Sequence, residues 1–433
     1  MTAMPYPAAQ ANPRAPSRPP RILIVRIGAM GDILHALPAV AALRQQLPEA
    51  TIGWAVEPGW LPLLSSSNNT AKSAAGMDTQ PLVDQVHMVP TRAWSATPFS
   101  RATLASVAAL RRELRSVHYD LVLDLQGSIR SAVVARLAGA RQVIGPAKPR
   151  ERPARLLYTD RVHLRAPHVV EQGCELAEAA LLALGAEDAA PPYAPHTGAP
   201  SSLPAAIGAW SAATTGLQPA PPVLPHDAAA EAAAKELLNG LSGRIALLAP
   251  AAGWGAKQWP AEHFGELAAR LIADGWNVAV NATGAADSIA AQVARSAARL
   301  SKPQPAAASR DSEVASSGNS PQTGQLRVVP CTLAELMELT RRVHLVVGGD
   351  TGPVHLAAAL GVPTVALFGP TDCGRTGPWP RDDQTRLRCL RHPESHTDHR
   401  RHPATEHGLS LISVDEVIAA IDQLFSTATT MED

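Results

Sequence analysis

The sequence predicts an α/β protein built as two similar halves. Three observations carry this. The chain has 433 residues, more than one ordinary core accommodates. Short apolar strand runs alternate with amphipathic helices. That alternation restarts after a charge-poor stretch at 189–226 that is rich in Pro, Ala and Ser. The reading gives a disordered tail over 1–20, a first domain over 21–188 and a linker over 189–226. A second domain follows over 227–433, with a low-complexity insert at 300–325.

The elements follow in order. "RILIVRI" is a short apolar run of the kind buried in a parallel sheet, and Ile33, Leu37, Val40, Leu43 and Leu47 then recur at helical spacing. "TIGWAVE" and "DQVHMVP" read as the second and third strands. A basic helix over 101–116 leads to "YDLVLDLQG", a strand ending at a glycine. In the second half "RIALLAP" is a strand entering a Gly-rich turn, "AEHFGELAARLIADG" a helix and "WNVAVNATG" a strand. "RVHLVVGGDTG" and "VPTVALFGP" are two more strands, each running into a Gly-rich loop, with a helix between them. "SVDEVIAAIDQLF" is a terminal helix with Ser413 as N-cap and Glu416 three residues on. Two such halves place a small-molecule site in the cleft between them, at the carboxyl ends of the strands.

Composition narrows the function. Lys plus Arg equals Asp plus Glu at 38 each, so no global field favours nucleic acid. Cys174, Cys331, Cys373 and Cys389 are widely spaced with no CxxC pair, which argues against a disulfide framework or zinc knuckle and for a reducing cytoplasm. The first twenty residues lack the apolar core of a signal peptide. No stretch approaches the ~18 apolar residues that cross a bilayer.

Three turns carry the chemistry. In Gly28-Ala29-Met30-Gly31-Asp32 a dinucleotide fingerprint is excluded, because Arg26 stands where its first glycine belongs. Asp32 reads either as the N-cap of the next helix or as a general base at the edge of the sheet. In "LLAPAAGWGAKQWPAEHF" the small residues around Gly253 let backbone amides approach an anion, and Lys257 follows to neutralise it. A Walker A loop does not fit, and the alternative to an anion site is an ordinary surface lysine in a turn.

The third turn, "GGDTGPVH", leaves a strand and enters a helix, so the amides of Thr351 and Gly352 suit a diphosphate. His355 lies on the helix face turned towards that loop. Asp350, which a phosphate would repel, suits sugar hydroxyls, or serves only as a cap. Arg92, Arg130, Arg150, Arg152 and Arg155 recur in loops near strand ends, either as an anionic acceptor site or as solvated surface. His392, His396, His399, His402 and His407 share a charged, Pro-containing loop with no fixed face, which reads as solvated and not as a metal site.

On these residues the chain resembles the lipopolysaccharide heptosyltransferases of glycosyltransferase family 9, and among them most the heptosyltransferase I type. The resemblance rests on Met30-Gly31-Asp32 with "ILHALPA", "YDLVLDLQG", "AGWGAKQWP", "GGDTGPVHLAAALGVPTVALFGPTD" and "ISVDEVIAAI", spread over 21–424. It implies a GT-B architecture of two Rossmann-like domains. It implies an ADP-heptose donor in the second domain and a Kdo-lipid A or inner-core acceptor in the first, reached at the inner membrane surface from the cytoplasm.

Asp32 is then the base of an inverting transfer. Lys257, Thr351, Gly352 and His355 hold the diphosphate, with Gly253 beside them, and Asp350 holds the heptose. Arg92, Arg130 and Arg152 face the acceptor. No metal or cofactor is expected. The chain departs from some relatives at Ala252 and Gly253, where they carry two threonines. The inserts at 65–80, 189–226 and 300–325 look longer than such a family requires, and their role is open. A nucleotide-sugar epimerase and a non-catalytic sugar-nucleotide binder are the rival readings. The basic "TRAW" and "RERPARLLY" stretches lean towards Kdo as acceptor over the first heptose.

Overall fold

A computed structural model describes residues 18–66, 81–185, 209–210, 216–282, 288–300, 324–381, 385–398 and 402–429. The tail to residue 17, most of the insert at 65–80, much of 189–226 and nearly all of 300–325 lie outside the described residues.

Two parallel sheets form the frame. The first contains β1 (Arg21–Val25), β2 (Thr51–Val56), β3 (Gln85–Met88), β4 (Leu121–Asp124), β5 (Gln142–Pro146), β6 (Asp160–Val162) and β7 (Ala209–Trp210), in the order β3-β2-β1-β4-β5-β6-β7. The second contains β8 (Ile245–Ala249), β9 (Asn277–Ala282), β10 (Leu326–Pro330), β11 (Leu345–Gly349), β12 (Thr364–Phe368) and β13 (Leu387–Arg391), in the order β10-β9-β8-β11-β12-β13. In both, the strand order reverses between the first strand and its later neighbour, β1 beside β4 and β8 beside β11. Such switch points open a crevice at the carboxyl ends. All three turns singled out from the sequence sit there.

Strand alternation sorts the core into layers. Ile22 and Ile24 pack with the helices Met30–Gln46 and Val169–Gly185, whereas Leu23 and Val25 pack with the helices Arg101–Val117 and Ile129–Leu137. The helix Met30–Gln46 is buried nearly all round, beyond its expected amphipathic stripe. It lies between the sheet, the helix Val169–Gly185 and, at its N-terminus, the helix Gly352–Ala359 of the second half. The terminal helix Val414–Thr429 carries the expected capping box: Ser413 N–H donates to Glu416 at 2.8 Å, and Glu416 N–H donates to Ser413 Oγ at 3.2 Å.

Candidate active site

The turn after β1 is held from both sides. Ile27 N–H donates to Gln126 Oε1 at 2.8 Å, and Trp54 Nε1 donates to the Arg26 carbonyl at 3.0 Å. The next helix starts at Met30 with Ala29 as N-cap, so Asp32 is not the cap that its residue type suggests. It stands at the third helical position and reaches back, accepting from Ala29 N–H at 3.2 Å. Its other oxygen pairs with Arg26 Nη2 at 2.8 Å, and its side chain stays 40% exposed. Burial works against ionisation of Asp32, but Arg26, His35, the Ala29 amide and Arg150 outweigh it and hold the carboxyl below its ordinary range.

The turn after β11 is built differently. Asp350 is buried, and its carboxylate accepts from His355 Nε2 at 2.9 Å, Thr371 Oγ1 at 2.6 Å and Lys257 Nζ at 2.5 Å. Burial again opposes ionisation, and His355 and Lys257 overcome it, so Asp350 lies well below the usual carboxylate range. Lys257 is thus paired to Asp350, with its ammonium 5.4 Å from the Trp254 ring. Thr351 caps the helix Gly352–Ala359 by backbone only, since its hydroxyl donates to the Gly349 carbonyl. Gly253 is exposed in the bend before Lys257.

The histidine-rich loop turns out to have a structural task. Ala256 N–H donates to the His402 carbonyl at 3.1 Å and Glu406 N–H to the Ala256 carbonyl at 3.3 Å, so its backbone braces the Lys257 turn. The side chains of His402 and His407 stay exposed, as expected, and His399 lies outside the described residues. Among the described residues no group of three or more His, Cys, Asp or Glu is arranged to hold a metal ion.

The two turns meet. A Cβ on Gly31 would sit 2.8 Å from Cδ2 of His355, and one on Gly352 would sit 2.3 Å from Sδ of Met30, so only glycine permits this approach. Three buried histidines surround the junction. His35 Nε2 and His168 Nε2, from the first half, both donate to the Gly377 carbonyl of the second, at 3.0 and 3.1 Å. The His35 ring lies 4.5 Å from that of His355 and 5.7 Å from that of His168. Because a carbonyl only accepts, both donors carry their proton on Nε2. Burial pushes His35 well below its ordinary value, helped by His355 and His168, and burial lowers His168 too.

The arginines spread over the outer rim. Arg92 is exposed with its guanidinium 5.9 Å from the Trp60 ring. Arg130 and Arg152 are exposed in the first turns of the helices Ile129–Leu137 and Arg152–Leu157 that follow β4 and β5, and Glu151 ties these together by accepting from Ile129 N–H at 2.9 Å. Of the basic loop residues, Arg150 is the one whose charge reaches Asp32. Two other carboxylates are used up structurally. Glu57 accepts from Thr91 N–H at 3.1 Å and from its hydroxyl, and buried Asp124 accepts from the Tyr158 and Ser131 hydroxyls at 2.8 and 2.9 Å. A cavity of about 630 Å³ lies at the opposite, amino-terminal end of the first sheet, lined by Arg21, Thr51, His87 and Glu113. Both His87 nitrogens are engaged there, by Glu113 and Tyr119.

Comparison with known proteins decides the family. The family model described as glycosyltransferase family 9 (heptosyltransferase) matches residues 107–202 and 209–407. The chain belongs to glycosyltransferase family 9. It is therefore a glycosyltransferase, which sets aside the epimerase and binder readings. This family 9 chain is 27% identical over 368 residues to lipopolysaccharide heptosyltransferase 1 of Pseudomonas aeruginosa, covering 83% of this chain and 82% of that protein. With lipopolysaccharide heptosyltransferase 1 of Escherichia coli K12 the identity is 28% over 361 residues, covering 82% and 90%. Among solved structures, E. coli heptosyltransferase WaaC with ADP matches at a TM-score of 0.60 and 24% identity, covering 93% of this chain and 99% of that one. E. coli ADP-heptose lps heptosyltransferase II matches at 0.62 and 20% identity, covering 94% and 99%. These likenesses establish the GT-B fold for the family 9 chain.

Sequence reading overlooked several partners in the site. Thr371 had a signal, in "FGPTD" after β12, and His35 lies one turn beyond Gly31. Arg26 is visible only as an interruption between apolar residues. His168 and the Gly377 carbonyl had none, because only tertiary packing brings them together.

Proposed function

We propose that this enzyme transfers heptose from ADP-L-glycero-β-D-manno-heptose to the inner core of lipopolysaccharide, with inversion and with Kdo as acceptor. The observation that carries the reading is the contact between the Gly31-Asp32 turn and the Gly352–His355 turn, which sets a half-open carboxylate against a cationic, amide-rich pole. WaaC is known with ADP and with ADP-2-deoxy-2-fluoro heptose, and its kinship supports the donor. The basic rim of Arg92, Arg130 and Arg152 supports an anionic sugar acid as acceptor.

In this mechanism Asp32 accepts the proton of the acceptor hydroxyl as its oxygen bonds to the anomeric carbon. The bond from that carbon to the phosphate oxygen breaks, and ADP departs with the electron pair. Lys257 and the amides of Thr351 and Gly352 stabilise the developing charge, so no metal is needed there. Asp350 holds Lys257 and His355 in place, a role we put ahead of contact with the sugar hydroxyls because three donors already share its buried carboxylate. His355 Nδ1 is buried without a hydrogen-bond partner, and it is a candidate donor to phosphate.

Purified enzyme should release ADP from ADP-heptose only when Kdo-lipid A is added, and should do so in EDTA. Release equal with and without acceptor, or full dependence on added Mg²⁺, would overturn the scheme. Transfer to a heptosylated core but not to Kdo-lipid A would change the acceptor and leave the rest standing.

A further inference from the structure

The four cysteines are far apart in the sequence, yet the fold brings one pair together. Cys389 lies on β13, in register with Ala366 of β12, and Cys373 opens the short helix Cys373–Thr376 beyond the end of β12. Both side chains pack on one small apolar cluster of Val354, Ala366 and Phe368, and their thiols hydrogen-bond to each other. Neither is fully buried, so a small reagent has access to them. The Cys389 thiol, donating to Cys373, holds that sulfur below the ordinary thiol range with help from Arg391, against burial, Asp350 and Asp372. Burial instead pushes Cys174 up to about 12 and Cys331 up to about 11. Cys373 also touches the junction between the halves. Gly377 N–H donates to the Cys373 carbonyl at 2.8 Å, and a Cβ on Gly377 would lie 3.0 Å from Cys373 Sγ. The Gly377 carbonyl is the acceptor shared by His35 and His168. The same segment runs on to Trp379, whose ring lies 5.0 Å from that of His168, and to Arg381, paired with Glu171 at 3.3 Å.

We infer that Cys373 and Cys389 form a thiol–disulfide switch that reacts with small disulfides of the glutathione class and slackens the junction when oxidised. The Cys373 thiolate attacks one sulfur of the small disulfide. A mixed disulfide forms, and the other half leaves as a thiolate that takes up the proton Cys373 gave up. Cys389 then loses its proton and attacks the Cys373 sulfur. This closes the protein disulfide and expels the second small thiolate, which takes that proton. Two protein thiols are oxidised and one small disulfide is reduced to two thiols. Sulfurs in hydrogen-bond contact must close to the ~2.05 Å of an S–S bond, which draws Cys373 towards β13 and shifts the turn that presents Gly377. A reversible switch of this kind suits a reducing compartment, where disulfides are transient and redox-sensing. Its consequence for ADP rests on the proposed donor site; the disulfide itself is read without any ligand, so the two fail separately.

The test incubates the full-length enzyme in reduced or oxidised glutathione, quenches with acid, alkylates the remaining thiols and maps them by peptide mass spectrometry. In oxidised glutathione Cys373 and Cys389 should appear as one cross-linked peptide pair, while Cys174 and Cys331 stay alkylatable. ADP affinity, read by calorimetry, should fall about fivefold in the oxidised enzyme, the worth of about one hydrogen bond at the junction, and recover with dithiothreitol. Cys389→Ser, which lacks the resolving thiol, should stop at glutathione on Cys373. Cys373→Ser should form neither product and keep the ADP affinity of the reduced enzyme in both buffers. A wild-type pair that stays alkylatable in oxidised glutathione, or that carries glutathione without closing, overturns the switch. A disulfide that forms and leaves ADP affinity unchanged overturns its link to the junction.

Discussion

Asp32 and Asp350 sit at the same edge of their sheets, yet their surroundings are opposite. Asp350 has 6% of its side chain exposed and three donors on its two oxygens. Asp32 is 40% exposed and has one strong partner, Arg26. Both stay ionised, but for different ends. A buried carboxylate shared by three donors organises its neighbours, whereas one open to solvent can take a proton. The comparison separates a positioning group from a proposed base, a distinction that spacing in the sequence does not make.

The sharpest way to break it is Asp32→Asn. A general base is worth typically ~10²–10⁴-fold in rate. Asn keeps an oxygen for the Ala29 amide but cannot accept the proton, and Arg26 keeps its bond to the Leu125 carbonyl. The variant should lose kcat by that factor, bind ADP normally, and unfold with a loss of about 1 kcal/mol. Near-normal turnover would reduce Asp32 to a helix-capping and ion-pair residue.

Asp350→Asn should behave in the reverse sense. Removing one partner of a buried pair leaves Lys257 uncompensated, at a cost on the order of 3 kcal/mol in stability. ADP affinity should fall as Lys257 and His355 lose their anchor. Lys257→Ala should weaken ADP binding by about 1.5–3 kcal/mol, the worth of a charged hydrogen bond. Calorimetry showing unchanged ADP affinity in Lys257→Ala would remove the lysine from the donor site.

These environments were only partly legible in the sequence. Central strands such as β1, β8, β11 and β12 announce themselves because both faces are buried, which forces continuous apolar runs. The strands β5, β6, β10 and β13 escaped notice, being short and carrying Gln, Arg or Pro among few apolar residues. The turns around Asp32 and Asp350 were legible through glycines flanking a carboxylate. Which carboxylate would be buried among donors was not, since Thr371 and Lys257 arrive from other parts of the chain. The same reason hid the histidine junction.

That junction supports the finest test. His35 and His168 each donate Nε2–H to Gly377, and His168 Nδ1 accepts from Val170 N–H at 3.2 Å, so the His168 ring is neutral when the two halves meet, while burial disfavours charge on His35. The charged groups facing them are Asp32, His355, Glu171 and Arg381, and burial still lowers both histidines. An open form, with the rings in water, titrates near the ordinary value of ~6.5. Below that pH the open form binds more protons than the closed one, so acid favours opening; above it, closure is fully present. Donor affinity and kcat/KM should therefore fall as pH drops below about 6.5. Asp32, held below the ordinary carboxylate range, stays ionised throughout that window, so the loss is not protonation of the base. Glutamine can donate to a carbonyl without titrating. The double variant His35→Gln, His168→Gln should keep activity at neutral pH to within about fivefold, the worth of about one hydrogen bond. Its acid limb should move down towards the protonation of Asp32. An acid limb that stays where the wild type has it would mean that these histidines join the halves without sensing pH.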